Sequence, residues 1–422
     1  MSNCRGWAGS CGTALIFGLV ATATGDGLRN PPAGAVGFGL GGAAVASSAG
    51  AEALFYNPAN IAEIVAPEAV AALTLARRQT NFLAPDGRRA SSADDWQFLP
   101  NVAFAMPLER LGAGLGFSLT TPFGQASEWD AEGPFRYLAP HEAKMTFAEF
   151  TASIAVPLWE ELSGGVGLSL VGSTLDLKQI FPWAMVAMSP MPDGEARIET
   201  DGFGVGAWAG ATWRPVKGHR VGVVYRSTMR IEYEGDLTLE GHPGAERLPP
   251  PLGGTSRRSD ISTTYRFPDI VSFGYAVDAT ESLVIEALAE WLNWSRYGDP
   301  TYDAGANSTL LPPLPPNDWS DTWNWAVGAA WRLDESWTAR IGFTQLHSPV
   351  PDRSFSPILP DGDQDIYTIG LGYRRGAHGL DIAYAYARNK DRHIQPTEQS
   401  ALSGCYDFDS DLVAISYRFE FR

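Results

Sequence analysis

The sequence has few basic residues and no long apolar run. Its 422 residues include 31 Lys and Arg against 48 Asp and Glu, which leaves a formal net charge of −17. A nucleic-acid partner would need a basic surface, so this charge argues against one. No segment provides the ~18 consecutive apolar residues of a membrane-spanning helix, which excludes a helical membrane protein. A β-barrel membrane protein stays possible, because its strands expose apolar side chains on one face only.

The first 25 residues are predicted to be a secretory signal peptide. Arg5 precedes an apolar stretch over residues 13–20, and small residues that suit cleavage follow at Ala21, Ala23 and Gly25. The alternative interpretation is a buried N-terminal helix, but the stretch is short and rich in Gly and Thr. Removal of residues 1–25 would begin the mature chain near residue 26.

Beyond residue 67 the large apolar residues recur with a period of two. In the segment 380–387, for example, Leu380, Ile382, Tyr384 and Tyr386 alternate with smaller or polar residues. This alternation predicts β-strands with one apolar face. The opposite face is mostly Gly, Ala, Ser and Thr, which suits a confined lumen better than contact with bulk water.

Fourteen such strands can be placed between residues 67 and 422. Six short turns and seven long loops connect them, as in an up-and-down barrel with both chain ends on the periplasmic side. We therefore predict an all-β fold, a 14-stranded antiparallel transmembrane β-barrel over residues 67–422. Closure satisfies the edge strands without a second subunit, so a monomer is expected.

Residues 26–66 differ from the barrel because they are rich in Gly and Ala and lack sustained alternation. The motif Asn57-Pro58-Ala59 lies near their end. Further motifs follow in order along the chain: PNVAFAMP, TPFGQASEW, YRSTMRIEYEGDL and HSPVPDRSFSPILPDGDQD. Together these segments resemble the FadL/TodX family of outer-membrane transporters for long-chain fatty acids and other hydrophobic compounds. The chain departs from that family in ending on Arg422 rather than on an aromatic residue.

The resemblance implies a location, a function and an internal domain. The protein is expected in the bacterial outer membrane, in contact with outer-membrane lipid, where it would take up a hydrophobic small molecule or a fatty acid passively. Residues 26–66 would fold inside the lumen as a hatch that carries Asn57, Pro58 and Ala59. No enzyme activity, cofactor or metal is expected.

Pro122, Phe123 and Gly124 stand at the end of the third predicted strand. Proline cannot donate a hydrogen bond to a neighbouring strand and glycine weakens strand pairing, so the wall is expected to be interrupted here. In the family, the corresponding strand is kinked inward and leaves a lateral opening through which the substrate enters the membrane. The alternative interpretation is an ordinary strand end at a loop.

An apolar loop over residues 180–191 is the predicted site of substrate capture. It holds three of the seven methionines, and methionine makes adaptable apolar contacts. An exposed apolar patch usually marks a binding surface, and the family has an external groove between this loop and the preceding long loop. The alternative is that the two loops only pack together and cap the barrel. The candidate binding residues are Phe135, Tyr137, Leu138, Ile180, Phe181, Trp183, Met185 and Met188.

Cationic residues are predicted on the luminal face at Lys178, Arg226 and Arg230. A positive group in an apolar channel would bind a carboxylate through charge-assisted hydrogen bonds. The alternative is that these cations pair with acidic residues of the lumen. The ninth strand would add three apolar and two acidic residues to the same space: Val284, Leu288, Leu292, Glu286 and Glu290.

Other chemistries have weak support in the sequence. The six histidines show no metal-ligand spacing, and the segment 361–365 looks like a calcium loop but lacks the glutamate that would close one. Two alternative functions stay open: a family relative that serves as a scaffold or secretion partner, and an outer-membrane lipolytic enzyme. No Ser-His-Asp arrangement stands out to support the enzyme.

Overall fold

The structure, a computed structural model, describes residues 26–249, 252–311, 317–396 and 401–421. The predicted signal peptide, residues 1–25, lies outside the described residues. The wall strands are β1 Glu68–Leu83, β2 Trp96–Leu108, β3 Ala113–Thr120, β4 Glu142–Trp159, β5 Leu162–Phe181, β6 Gly194–Trp213, β7 His219–Arg226 with Met229–Leu239, β8 Arg258–Phe267 with Ile270–Asp278, β9 Leu283–Leu292, β10 Thr322–Arg332, β11 Trp337–Leu346, β12 Gln364–Arg375, β13 His378–Asn389 and β14 Gly404–Glu420. Three short strands, Arg89–Ser91, Gln125–Glu128 and Arg392–Ile394, pair with β1, β4 and β14 respectively.

The fourteen strands form one closed antiparallel barrel. β1 pairs with β14 along its whole length, from Glu68 opposite Glu420 to Leu83 opposite Cys405, so the sheet has no free edge there. Short turns and long loops alternate between successive strands. The predicted 14-stranded antiparallel β-barrel is therefore confirmed.

The alternation of side chains separates the two faces of the wall. On β13, Leu380, Ile382 and Tyr384 are exposed on the outer face, whereas Ala383 and Ala385 are buried on the inner face. Successive side chains of a strand point to opposite faces, so this pattern continues along the strand. In a membrane barrel the exposed apolar side chains contact lipid.

β7 and β8 are each interrupted at the same level of the wall. The breaks lie at residues 227–228 and 268–269, where Pro268 provides no N–H for strand pairing. Val224 and Met229 are both buried on the inner face although they are five positions apart, an odd number, so the alternation shifts by one residue at this break. The sequence pattern alone fits one continuous strand over residues 220–240, because no local signal marks this break.

The N-terminal segment, residues 26–66, packs against the inner face of the wall. It forms helix α1 Ala35–Gly39 and two 3₁₀ helices, Gly50–Phe55 and Pro58–Glu63. Helix α1 contacts β12 and β13, whereas Pro58–Glu63 contacts β4, β5 and β6. Wall glycines permit this approach, since a Cβ at Gly165 of β5 would lie 2.6 Å from the backbone N of Ala59. That the segment is a separate hatch domain stays a prediction.

Asn57 anchors the Asn57-Pro58-Ala59 motif to the wall. Its Oδ1 accepts from the backbone N–H of Ala59 at 3.0 Å, which caps the helix Pro58–Glu63. Its Nδ2 donates to the carbonyl oxygen of Val45 at 3.0 Å and to Thr212 Oγ1 of β6 at 2.9 Å. The asparagine is buried with these partners, so the motif serves as a polar attachment point within the lumen.

Candidate functional site

The wall is interrupted immediately after β3. Thr120 is the last residue of β3 to pair with β4, opposite Glu149, and pairing resumes at Gln125 opposite Met145. β2 pairs with β3 only as far as Leu119. Within the described residues, the short strand Gln125–Glu128 pairs with β4 alone. The chain therefore does not end its strand at Pro122. It leaves the sheet for four residues and returns, which opens the hydrogen-bonded wall beside β2.

The interrupting residues turn into the lumen. Phe123 is fully buried, with ring centroids 5.4 Å from Phe147, 4.9 Å from Phe267 and 6.2 Å from Trp294. Such edge and tilted contacts stabilise an aromatic cluster beyond simple area burial. Phe123 thus holds the interruption inward, and its role in an exit stays a prediction.

A cavity of about 130 Å³ lies between the N-terminal segment and the wall. Thr121 and Pro122 line it, so it reaches the interruption of β3. Much of its remaining lining is apolar, and the charged groups on it come from two side chains of the wall and two of the N-terminal segment. The apolar residues include Phe38, Phe55, Val224, Leu288 and Leu412, and the charged ones are Asp26, Arg29, Arg226 and Glu290.

Two of these charged groups neutralise each other. Arg29 makes a two-pronged contact with Glu290, whose Oε1 accepts from Arg29 Nη2 at 3.0 Å and from Ser272 Oγ at 2.7 Å. Asp26 lies 3.5 Å from Arg29 Nη1. Bidentate contacts of this kind are among the strongest hydrogen bonds in proteins. Glu290 is therefore unavailable to a second cation without loss of this pair.

Arg226 lines the same cavity without an ionic partner. Its side chain has no hydrogen bond or ion pair to any described residue. Its guanidinium lies over the indole of Trp208, with Cζ 3.2 Å from the ring centroid. A cation–π contact of this kind stabilises the charge but leaves the N–H donors in the plane of the guanidinium free. Arg226 can thus donate to an anionic group that enters the cavity.

The prediction that Lys178 and Arg230 face the lumen is wrong. The buried, inward positions of β5 are odd-numbered from 163 to 175, so Lys178 belongs to the outer face, where its Nζ pairs with Glu142 at 2.5 Å. Arg230 follows the break in β7, which reverses the alternation there. Its side chain is 57 % exposed and pairs with Glu232 at 2.7 Å.

The predicted capture loop divides into a buried and an exposed part. Phe181 and Trp183 are buried against Leu237 and Leu239 of β7, and Trp183 Nε1 donates to the carbonyl oxygen of Glu240 at 2.7 Å. Ile180 is half-buried. The methionines are different: Met185 is 72 % and Met188 79 % exposed. The buried aromatics hold the loop, and the methionines present apolar surface outside.

Of the candidate residues on the preceding loop, Tyr137 and Leu138 are exposed and Phe135 is buried. Phe135 packs in a separate aromatic cluster with Phe82 at 4.8 Å and Trp129 at 4.9 Å, so the structure does not bring it together with Phe181 and Trp183.

Asp193 joins the two outer loops. Its Oδ2 accepts from Tyr137 Oη at 2.6 Å and from Arg136 Nη2 at 2.7 Å. These hydrogen bonds, that of Tyr137 first, lower the pKa of Asp193. Sequence reasoning missed this residue, because nothing in its local sequence signals a contact across two loops.

The sequence matches a known protein family along most of its length. The family described as "Outer membrane protein transport protein (OMPP1/FadL/TodX)" matches residues 15–421. The chain belongs to the FadL/TodX family. It is thus an outer-membrane transporter of hydrophobic compounds, and its family consists of transport channels rather than enzymes.

Individual FadL/TodX relatives align with this chain along most of their length. The "Long-chain fatty acid transport protein" of Escherichia coli O6:H1 is 23 % identical over 341 residues, which are 74 % of this chain and 74 % of the relative. The protein of the same name from Salmonella typhi is 25 % identical over 349 residues, 77 % of this chain and 76 % of the relative.

Solved structures show the same fold. A Pseudomonas aeruginosa FadL homologue superimposes with a TM-score of 0.83 at 21 % identity, and the match covers 94 % of this chain and 100 % of the homologue. The Pseudomonas putida toluene transporter TodX gives a TM-score of 0.70 at 17 % identity, covering 92 % and 98 %. Within the described ranges, no helix is long and apolar enough to cross a membrane.

Proposed function

We propose that this protein takes up long-chain fatty acids or similar lipophiles that carry a carboxylate. The substrate is captured at the outer loops, occupies the luminal cavity and leaves sideways into the membrane at the interruption of β3. The movement is passive and follows the concentration gradient of the substrate. Its curated relatives are named for long-chain fatty acids and some structural neighbours for toluene, so the choice between these classes depends on the cavity.

The guanidinium of Arg226, which lines the cavity without an ionic partner, is the observation that favours a carboxylate substrate. A guanidinium in a partly apolar cavity is costly to desolvate unless an anion compensates it. A carboxylate would accept two of its N–H donors in the bidentate geometry that arginine favours. A neutral aromatic hydrocarbon would leave those donors unpaired, so the cavity suits an acid better than toluene.

The capture step rests on the exposed part of the outer loops. Met185 and Met188 present flexible apolar side chains on one loop, and Tyr137 and Leu138 are exposed on the other. The hydrogen bond from Tyr137 to Asp193 joins the two loops. Apolar burial contributes about 25 cal/mol per Å², so several such contacts can hold an acyl chain weakly. Weak binding at this surface suits a site from which the substrate must move on.

The exit step rests on the gap beside β2. Pro122 lines the cavity and also marks the place where strand pairing stops, so a ligand in the cavity is next to the break in the wall. The N-terminal segment, as a hatch, would block the direct path to the periplasm. A lipophile would then reach the bilayer without crossing water.

Binding measurements with a fatty acid and its ester test this proposal. Palmitate and methyl palmitate share their acyl chain, and only palmitate carries a charge. We expect the purified protein to bind palmitate more tightly, and Arg226→Gln to weaken palmitate binding by at least about tenfold, since a hydrogen bond to a charged group contributes about 1.5–3 kcal/mol. Methyl palmitate binding should not change.

Lys178→Gln is the matched control, because Lys178 is a cation on the outer face and pairs with Glu142. It should leave both affinities unchanged. Equal affinity of the unaltered protein for the acid and the ester would overturn the carboxylate assignment, as would unchanged palmitate binding by Arg226→Gln.

A further inference from the structure

Trp208 is a large side chain between glycines on the inner face of β6. Gly204, Gly206 and Gly210 occupy the neighbouring inward positions of β6. The indole is buried, and its Nε1 donates to Glu149 Oε1 at 3.0 Å. Its ring face lies against the guanidinium of Arg226. Trp208 therefore contacts an acid through its edge and a base through its face.

The acid and the base line the same small cavity but do not form an ion pair. Glu149 and Arg226 both contribute to its lining, yet no ion pair between them occurs in the described residues. Glu149 Oε1 accepts from Trp208 Nε1 at 3.0 Å and from Thr151 Oγ1 at 3.4 Å, and its Oε2 is buried without a hydrogen-bond partner. A carboxylate that could reach a guanidinium would normally form a bidentate contact with it. The hydrogen bond from Trp208, the shorter one that Glu149 accepts, keeps this carboxylate from pairing with Arg226.

This arrangement lies beside the interruption of β3. Glu149 is the register partner of Thr120, the last residue of that strand. A small cavity is lined by Phe123, Glu149, Trp208 and Arg226, and Arg226 also lines the main luminal cavity. The three residues are therefore next to both the main cavity and the proposed exit.

We propose that Trp208 and Glu149 are positioning residues that keep Arg226 open for the carboxylate of the substrate. The Trp208 N–H holds Glu149 as a counter-charge at a distance, and the indole face keeps the guanidinium flat against the wall. The inference rests on the proposed function and adds the residues that set its selectivity for an acid over a neutral lipophile.

Removal of the indole N–H should reverse this arrangement. In Trp208→Phe the aromatic face remains and can still contact the guanidinium, but Glu149 loses the shorter of its two hydrogen bonds and keeps only the 3.4 Å contact with Thr151. The freed carboxylate would then pair with Arg226 and occupy the donors that the substrate needs. Palmitate would have to displace Glu149, whereas methyl palmitate would not be affected.

Three variants in the full-length protein test the inference, with affinities for palmitate and methyl palmitate as the readout. Trp208→Phe should reduce the preference for palmitate over its ester by about tenfold. Trp208→Phe combined with Glu149→Gln should restore it, because a glutamine cannot form the competing ion pair. Trp213→Phe is the matched control, since Trp213 lies on the outer face of the same strand and is exposed. It should leave the preference unchanged.

The outcomes separate this inference from the proposed function. If the unaltered protein binds acid and ester equally, the carboxylate assignment fails and this inference fails with it. If the unaltered protein prefers palmitate but Trp208→Phe keeps the full preference, only the role of Trp208 is overturned. If Trp208→Phe loses the preference and the double variant does not regain it, the release of Glu149 is overturned. Heat-modifiable migration of each variant confirms that its barrel has assembled.

Discussion

The backbone N–H of Asn30 donates to the carbonyl oxygen of Pro122 at 2.9 Å. Asn30 Nδ2 adds a hydrogen bond to the carbonyl oxygen of Thr121 at 2.8 Å, and the N–H of Gly124 donates to the carbonyl oxygen of Leu28 at 2.9 Å. The N-terminal segment thus supplies the main-chain hydrogen bonds that β2 does not supply to this part of the chain. The inward path of residues 121–124 depends on that segment as well as on the proline.

Restoring strand character at the interruption should reduce transport. In the double variant Pro122→Val and Gly124→Val, a backbone donor returns and both residues favour extended pairing. We expect residues 121–124 to pair with the wall more often, so the gap beside β2 closes. Binding of palmitate at the outer loops should survive, whereas uptake into cells should fall severalfold. Uptake of radiolabelled palmitate at equal surface expression measures the effect.

Pro107→Val is the matched control for this double variant. Pro107 lies on β2 opposite Gly114, where β2 and β3 are already paired, and its replacement should leave uptake unchanged. Normal uptake by the double variant would mean that the substrate leaves the lumen elsewhere.

Substitutions in the outer loop should separate capture from loop stability. Met185 and Met188 are exposed, so their replacement by Ser removes apolar contacts of about 1–2 kcal/mol each without disturbing the fold. Uptake at low substrate concentration should fall about tenfold or more. Trp183→Ser should instead destabilise the loop by about 3–5 kcal/mol, because the indole is buried. Uptake assays and limited proteolysis distinguish the two effects.

Val65→Ser serves as the control for the methionine variant. Val65 is also an exposed apolar residue, but it lies just before β1 and far in sequence from the outer loop. Unchanged uptake by the methionine variant with normal surface expression would leave the loop as a cap of the barrel.

The barrel could be predicted from the sequence because membrane and lumen impose the same constraint on every strand. Lipid selects large apolar residues outside, and the packed interior selects small ones, so a period of two recurs around the wall. The same rule failed at Arg230, since the break at residues 227–228 shifts the alternation and no local signal fixes the length of such a break. A single register error therefore moved one residue to the wrong face.

The candidate site was accessible to sequence reasoning only in part. Arg226 and Glu290 could be placed on the luminal face by alternation alone. Trp208 carried an overlooked signal, a single large residue among the glycines of one face. The contact of Asp193 with Tyr137 could not be predicted, because it joins loops more than 50 residues apart in sequence. Local patterns constrain faces of strands, but they do not determine which loops meet.

Loss of the charge on Asp193 should weaken capture. Its pKa lies below the ordinary value of 3.8, so the ionised form that accepts from Tyr137 and Arg136 is stabilised in the folded protein. That stabilisation is present above pH 3.8 and is lost as the pH falls through the lowered pKa. Uptake by the unaltered protein should therefore not change from pH 5 to pH 8 on this account, whereas Asp193→Asn should reduce uptake severalfold at every pH in that range.

Asp130→Asn is a suitable comparison, because Asp130 lies on the loop that carries Arg136 and Tyr137, but within the described residues its carboxylate accepts only from the nearby backbone N–H of Glu132. If Asp193→Asn captures palmitate as well as the unaltered protein, the ionic contact between the loops has no part in capture.

Deletion of residues 26–66 should convert a poorly conducting barrel into an open pore. These residues contact the inner face from β4 to β13 and cover wall glycines that would otherwise face the lumen. Their removal leaves the closed wall of β1–β14 intact, because strand pairing does not depend on them. Single-channel conductance in planar bilayers should rise from near closed to a stable open level.

A milder variant tests the same prediction without a deletion. Gly165→Leu would force a side chain against the backbone of Ala59, where even a Cβ would lie 2.6 Å from its N atom, and should displace the segment enough to raise conductance in part. Gly172→Leu on the same strand is the control, since a Cβ there meets no atom within 4 Å, and it should conduct as the unaltered protein does. If the deletion brings no gain in conductance, the outer loops close the pore and the N-terminal segment is not its plug.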